Sequence, residues 1–126
     1  MATWREMSLD NRRAAQEALT AGRLRSSISR SYYAAYCAVT SKLAGRFTFD
    51  YGGNNPAHND LPNLIFHNLT LVDEIKRRDI RQAVGQLWKA RVEADYVPDA
   101  YIDHDIALNA LRDTSRILRL LEIEDE

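Results

Sequence analysis

Little in this chain crosslinks, kinks or interrupts it. Its 126 residues include one cysteine, three prolines and five glycines. A lone Cys37 can close no internal disulfide and supplies too few ligands for a cysteine-based zinc site. So few turn formers argue against a disordered chain and against a many-stranded, turn-rich one. Long apolar runs are missing as well. The uncharged stretch Ser31 to Ser41 is about half the ~20 residues a membrane helix requires, and Met1 to Glu6 has no apolar signal core. The expectation is one cytoplasmic domain without a membrane span, residues 1–126, with a core of about 8–122 and an acidic end at 122–126.

A large net charge is also lacking, at -1, but the total hides a pattern. Residues 1–46 carry 8 Lys+Arg against 3 Asp+Glu, and residues 47–126 carry 9 against 15, giving halves of +5 and -6. The first half suits an anionic partner and the second repels one, although solvated helix faces give the same count.

What is present is apolar periodicity of three and four. Ser8 is the expected cap of a first helix through Leu9, Ala14, Ala15, Ala18 and Leu19, with Gly22 ending it. Arg23 to Leu43 places Leu24, Ile28, Tyr32, Ala35, Tyr36, Val39 and Leu43 on one face, with Gly45 as the stop. Phe47 to Asn59 loses the period and reads as a loop, and Asp60 caps a short helix with Leu61, Leu64 and Ile65. A longer helix covers about Leu71 to Tyr96, stopped by Pro98, and Asp103 caps the last one, whose stripe runs from Ile106 to Leu121. The predicted fold is all-α: a single-domain antiparallel bundle of four long helices and one short helix.

Charges on such apolar stripes are the informative residues. Arg91 lies seven residues after Val84, four after Leu87 and three after Trp88, and Asp95 follows one turn later. Burying either alone costs several kcal/mol, so they pair with each other or line a cleft. Arg before Asp is the weaker order for an i,i+4 pair, which makes local helix stabilisation a poor reason for it. Arg30 sits among Ser26, Ser27, Ser29, Ser31 and three tyrosines and reaches phosphate from the helix flank, whereas Tyr32 and Tyr36 read as core. The histidines, His58, His67 and His104, are too scattered for a local metal motif, and no metal or cofactor is implied. His58, in the loop, is the one suited to act as a general acid or base.

Ser29-Arg30-Ser31-Tyr32-Tyr33-Ala34-Ala35-Tyr36, followed some sixty residues later by Arg91-Val92-Glu93-Ala94-Asp95-Tyr96, resembles the SRxYYAA and RxxADY signatures of HEPN (higher eukaryotes and prokaryotes nucleotide-binding) domains. The resemblance implies a small helical protein that forms a homodimer, encoded beside a nucleotidyltransferase antitoxin in a toxin–antitoxin or defence pair. It further implies action on RNA or nucleotide, as a metal-independent ribonuclease with Arg and His meeting at a dimer cleft. The candidate catalytic residues are then His58, Arg91 and Asp95, and the binding candidates Arg30, Tyr33 and Tyr96. One departure matters: ribonuclease members carry His four to six residues after an Arg, and no Arg here does. The alternatives are a non-catalytic module that binds nucleotide or the nucleotidyltransferase, and a purely structural interaction domain.

Overall fold

The computed structural model describes residues 2–43, 58, 65, 69 and 72–123. These form four helices and no strand: α1 (Trp4–Thr20), α2 (Leu24–Leu43), α3 (Glu74–Tyr96) and α4 (His104–Leu120). The short helix expected from Asp60 and the loop expected over 47–59 lie outside the described residues, His58 and Ile65 excepted, as do the stop at Gly45 and residues 124–126.

Three of the helices open on a side-chain cap. Thr3, Asp73 and Asp103 each accept the backbone N–H three residues ahead, from Glu6, Lys76 and Ile106, at 2.9–3.1 Å. Thr3 replaces the expected Ser8, which is fully buried one turn inside α1 and donates to the Ala34 carbonyl of α2 at 2.7 Å. A hydroxyl facing a neighbouring helix has no free solvent edge at which to start one. Gly22 ends α1 as expected: its φ of 77° lets the Arg23 N–H reach the Ala18 carbonyl at 2.8 Å and its own N–H the Leu19 carbonyl at 3.1 Å.

Helix α2 is the axis of the fold, with thirteen of its 20 residues buried. Ser8 bonds Ala34 and Ser27 bonds the Ala15 carbonyl at 2.8 Å, so residue numbers fall along α1 as they rise along α2. The two helices are therefore antiparallel. Small residues at these contacts, Ser8, Ala15, Ser27 and Ala34, allow the close approach, and the hydroxyls fill it. The same reasoning makes α2 and α3 antiparallel: Arg25 reaches Ala94, Ser29 reaches Asp95, and Tyr33 meets Arg91. Thr114 of α4 donates to the Ser31 carbonyl at 2.5 Å. Ile28, Tyr32, Val39, Leu43, Ile80, Leu87, Ile117 and Leu118 fill the centre, and Ile65 and Leu69 are buried with them. No helix among the described residues is long and apolar enough to cross a membrane.

Candidate functional site

Along the α2–α3 seam, Ser29, Tyr32, Tyr33 and Tyr36 face Trp88, Arg91 and Asp95, each set spaced by three or four residues and so on one helical face. Arg91 is the centre. Its Nε lies 2.8 Å from Asp95 Oδ2, with the two side chains 12% and 26% exposed. Its Nη2 donates to Tyr33 Oη at 3.0 Å and to Tyr96 Oη at 3.4 Å. Its Cζ lies 5.2–5.3 Å from the ring centroids of Tyr33, Trp88 and Tyr96. Burial works against the charge, but Tyr33, Tyr96 and Asp95 outweigh it, and the guanidinium stays cationic. The Ser29 hydroxyl donates to the same Asp95 oxygen, Oδ2, at 3.2 Å.

Two further arginines of the basic half converge here, by different routes. Arg30 is exposed on α2, places its Cζ 5.3 Å from the Tyr33 centroid, the same ring that Arg91 packs on, and donates to Asn11 Oδ1 of α1 at 3.1 Å. Arg25 is committed to the end of α3: Nη1 donates to the Ala94 and Val97 carbonyls at 3.0 Å each, and Nη2 to the Pro98 carbonyl at 2.8 Å. A guanidinium on the last carbonyls complements the negative end of the helix and fixes the turn that carries Asp95 and Tyr96.

His58 enters from far away in sequence and packs among the same side chains. It stacks on Trp88 with centroids 5.2 Å apart and a 14° interplanar angle, lies 4.6 Å from the Tyr36 ring, and shares a 2.6 Å hydrogen bond between Nδ1 and Tyr32 Oη. Burial, followed by the nearby Arg91 charge, lowers its pKa below the ordinary 6.5, so the imidazole is neutral near pH 7. Trp88 and Tyr33 touch both His58 and Arg91. A neutral imidazole and a permanent cation therefore stand on one aromatic wall.

The HEPN domain family model matches residues 1–124. The chain belongs to the HEPN domain family. Comparisons with curated proteins and with solved structures give no match. All six candidate residues of this HEPN domain, Arg30, Tyr33, His58, Arg91, Asp95 and Tyr96, gather at the α2–α3 seam. Tyr96 is 67% exposed and forms its outer edge. Of the other histidines, His104 opens α4 and is exposed, and His67 lies outside the described residues. No group of three or more His, Cys, Asp or Glu side chains among the described residues is arranged to hold a metal ion.

Sequence reasoning gave no site role to five members of the HEPN seam. Trp88 was visible only as an apolar stripe position, and its place one turn before Arg91 was the signal for a stacking role. Tyr32 and Tyr36 are core residues, as their spacing indicates, yet they also hold His58. Ser29, although it opens the signature segment of α2, and Arg25 gave no sign of their partners, which come from α3.

Proposed function

We propose that this HEPN protein is the toxin-type member of a toxin–antitoxin or defence pair and acts on RNA or nucleotide phosphate at the Arg91–His58 site, as a metal-independent ribonuclease. The observation that supports this most is the pairing itself: a neutral imidazole from a distant segment packed on the same two rings as a guanidinium. Arg91 offsets the charge that grows on a phosphorane, and His58 stands next to it. In the reaction the 2′-oxygen bonds to phosphorus as the bond to the 5′-oxygen breaks. The 2′-hydroxyl gives up a proton and the leaving oxygen gains one, so the products are a 2′,3′-cyclic phosphate and a 5′-hydroxyl. Arg30 and Tyr96, exposed at the edge of the seam, take the flanking phosphate and base. In this reading two protomers bring their seams together in a homodimer cleft, and a nucleotidyltransferase antitoxin is the partner.

A second reading, a non-catalytic module for nucleotide or for that partner, is favoured by one feature. Arg91 is already engaged by Asp95, Tyr33 and Tyr96, which suits a fixed binding surface better than a mobile reactive group. Incubating single-stranded RNA with the protein in EDTA separates the two. The ribonuclease reading expects new ends bearing cyclic phosphate, lost in both His58→Ala and Arg91→Met while helical circular dichroism is kept. Intact RNA together with a nucleotide-dependent rise in melting temperature would select the binding module instead.

A further inference from the structure

The Tyr32–His58 contact determines what the imidazole can offer. Tyr32 is 1% exposed, and its ring is packed by Tyr33 at 5.4 Å, Tyr36 at 6.3 Å and Trp88 at 5.3 Å, so its hydroxyl cannot swing away. The one hydrogen-bond partner of that hydroxyl among the described residues is His58 Nδ1. Two proton arrangements fit a 2.6 Å contact. If Nδ1 carried the hydrogen, Tyr32 Oη would accept it and the phenol's own proton would be buried with no acceptor among the described residues, a costly omission. If Tyr32 donates, Nδ1 accepts and every proton has a place. Burial, reinforced by Tyr36 and Tyr33 and opposed by Arg91, holds the phenol far from ionisation, so its proton stays available.

We infer that Tyr32 is a positioning residue that donates to His58 Nδ1 and thereby fixes the imidazole as the neutral Nε2–H tautomer, a hydrogen-bond donor to phosphate rather than a proton acceptor. This rests on the proposal that the seam takes phosphate, and it assigns a role within it. With Nδ1 occupied and Nε2 protonated, His58 has no lone pair for a 2′-hydroxyl proton. It joins Arg91 as a second fixed donor aimed at non-bridging phosphate oxygens, a static form of stabilisation that requires no proton transfer by the protein. The groups around the ring favour this state. Tyr32, Tyr33 and Tyr36 from α2 are uncharged, Trp88 from α3 stacks on the ring, and Arg91 from α3 repels an imidazolium.

Nitrogen-detected NMR of the histidines in wild type and Tyr32→Phe tests the assignment. The Nε2–H pattern is expected for wild-type His58. Only the neutral ring can accept from a phenol, so removing the hydroxyl is expected to raise the His58 pKa by roughly one pH unit. An Nδ1–H pattern in wild type, or a pKa that falls or stays fixed in Tyr32→Phe, overturns the inference. A second pair of variants reads the phosphate role with a fluorescent single-stranded RNA in EDTA. His58→Gln keeps an N–H donor but cannot take a proton, and its affinity is expected to remain within roughly threefold of wild type, against a loss of about tenfold in His58→Ala. Equal losses in the two overturn the donor role. Wild-type protein with no affinity for RNA or nucleotide refutes the proposed function, and the NMR result then upholds or overturns the Tyr32 assignment alone.

Discussion

Arg91 and Asp95 show how unequal the two halves of one ion pair are. Asp95 keeps Ser29 and partial access to water if Arg91 is removed, whereas Arg91 without Asp95 is a largely enclosed cation with only phenolic oxygens and ring faces for company. Arg91→Met should therefore unfold in urea within about 1 kcal/mol of wild type, while Asp95→Ala should lose roughly 1–2 kcal/mol. The reverse order would show that Asp95, not Arg91, is the stranded charge. His58 supplies a pH signature at the same scale. Its folded-state pKa is depressed, so the unfolded chain binds the extra proton first. Stability is full above the unfolded value near 6.5 and declines as pH falls through it toward the folded value. Comparing urea midpoints at pH 7.5 and 5.5 in wild type and His58→Phe isolates the effect: the acid-side loss should shrink in the variant. That Arg91 and Asp95 belong together could be read from their place on an apolar stripe. That His58 completes their site could not be read from spacing, since it depends on a contact across the fold with Tyr32 and Trp88.

The helices were legible where a local device was read as such, as at Asp103 and Gly22, whereas α3, expected from about Leu71, opens instead at its Asp73 cap. Ser8 misled because a serine before an apolar run has the same appearance whether its hydroxyl caps its own helix or reaches another. Here it does the second, as does Ser27 of α2, and the bonds of Ser27 to α1 and Ser29 to Asp95 give two serines of α2 a tertiary role that helix propensity alone does not predict. The end of α4 holds a feature no pattern announces. Ile123 N–H reaches the Leu118 carbonyl at 2.8 Å and Glu122 N–H the Arg119 carbonyl at 3.0 Å, the same closure that Gly22 gives α1, but with a glutamate at φ 58°. A side chain in the left-handed region costs about 1 kcal/mol or more that glycine avoids, partly offset by glycine's freer unfolded chain. Glu122→Gly should consequently stabilise the protein by roughly 0.5–1 kcal/mol in thermal or urea unfolding. A loss of stability would mean that the carboxylate makes a contact worth more than the strain.

At the scale of the whole molecule, a net charge of -1 conceals how differently the arginines around the seam are committed. Arg25 is bound to the last carbonyls of α3, so its donors hold the protein rather than a ligand. Arg30 is exposed beside Tyr33, and Arg91 shares that ring from below the surface. The fold thus leaves two cations at the seam, Arg30 from the basic half and Arg91 from the acidic half, the second of them paired with Asp95. If RNA binds there, it is held by about two phosphate contacts, and the slope of log K against log salt for a single strand should be about -1.4. Arg30→Met should flatten the slope by about 0.7 without changing which sequences are preferred, because a phosphate contact carries no base information. Anisotropy titrations of one short RNA at several salt concentrations give both numbers. A wild-type slope steeper than about -3, or an Arg30→Met slope equal to wild type, would place the RNA on another face of the domain.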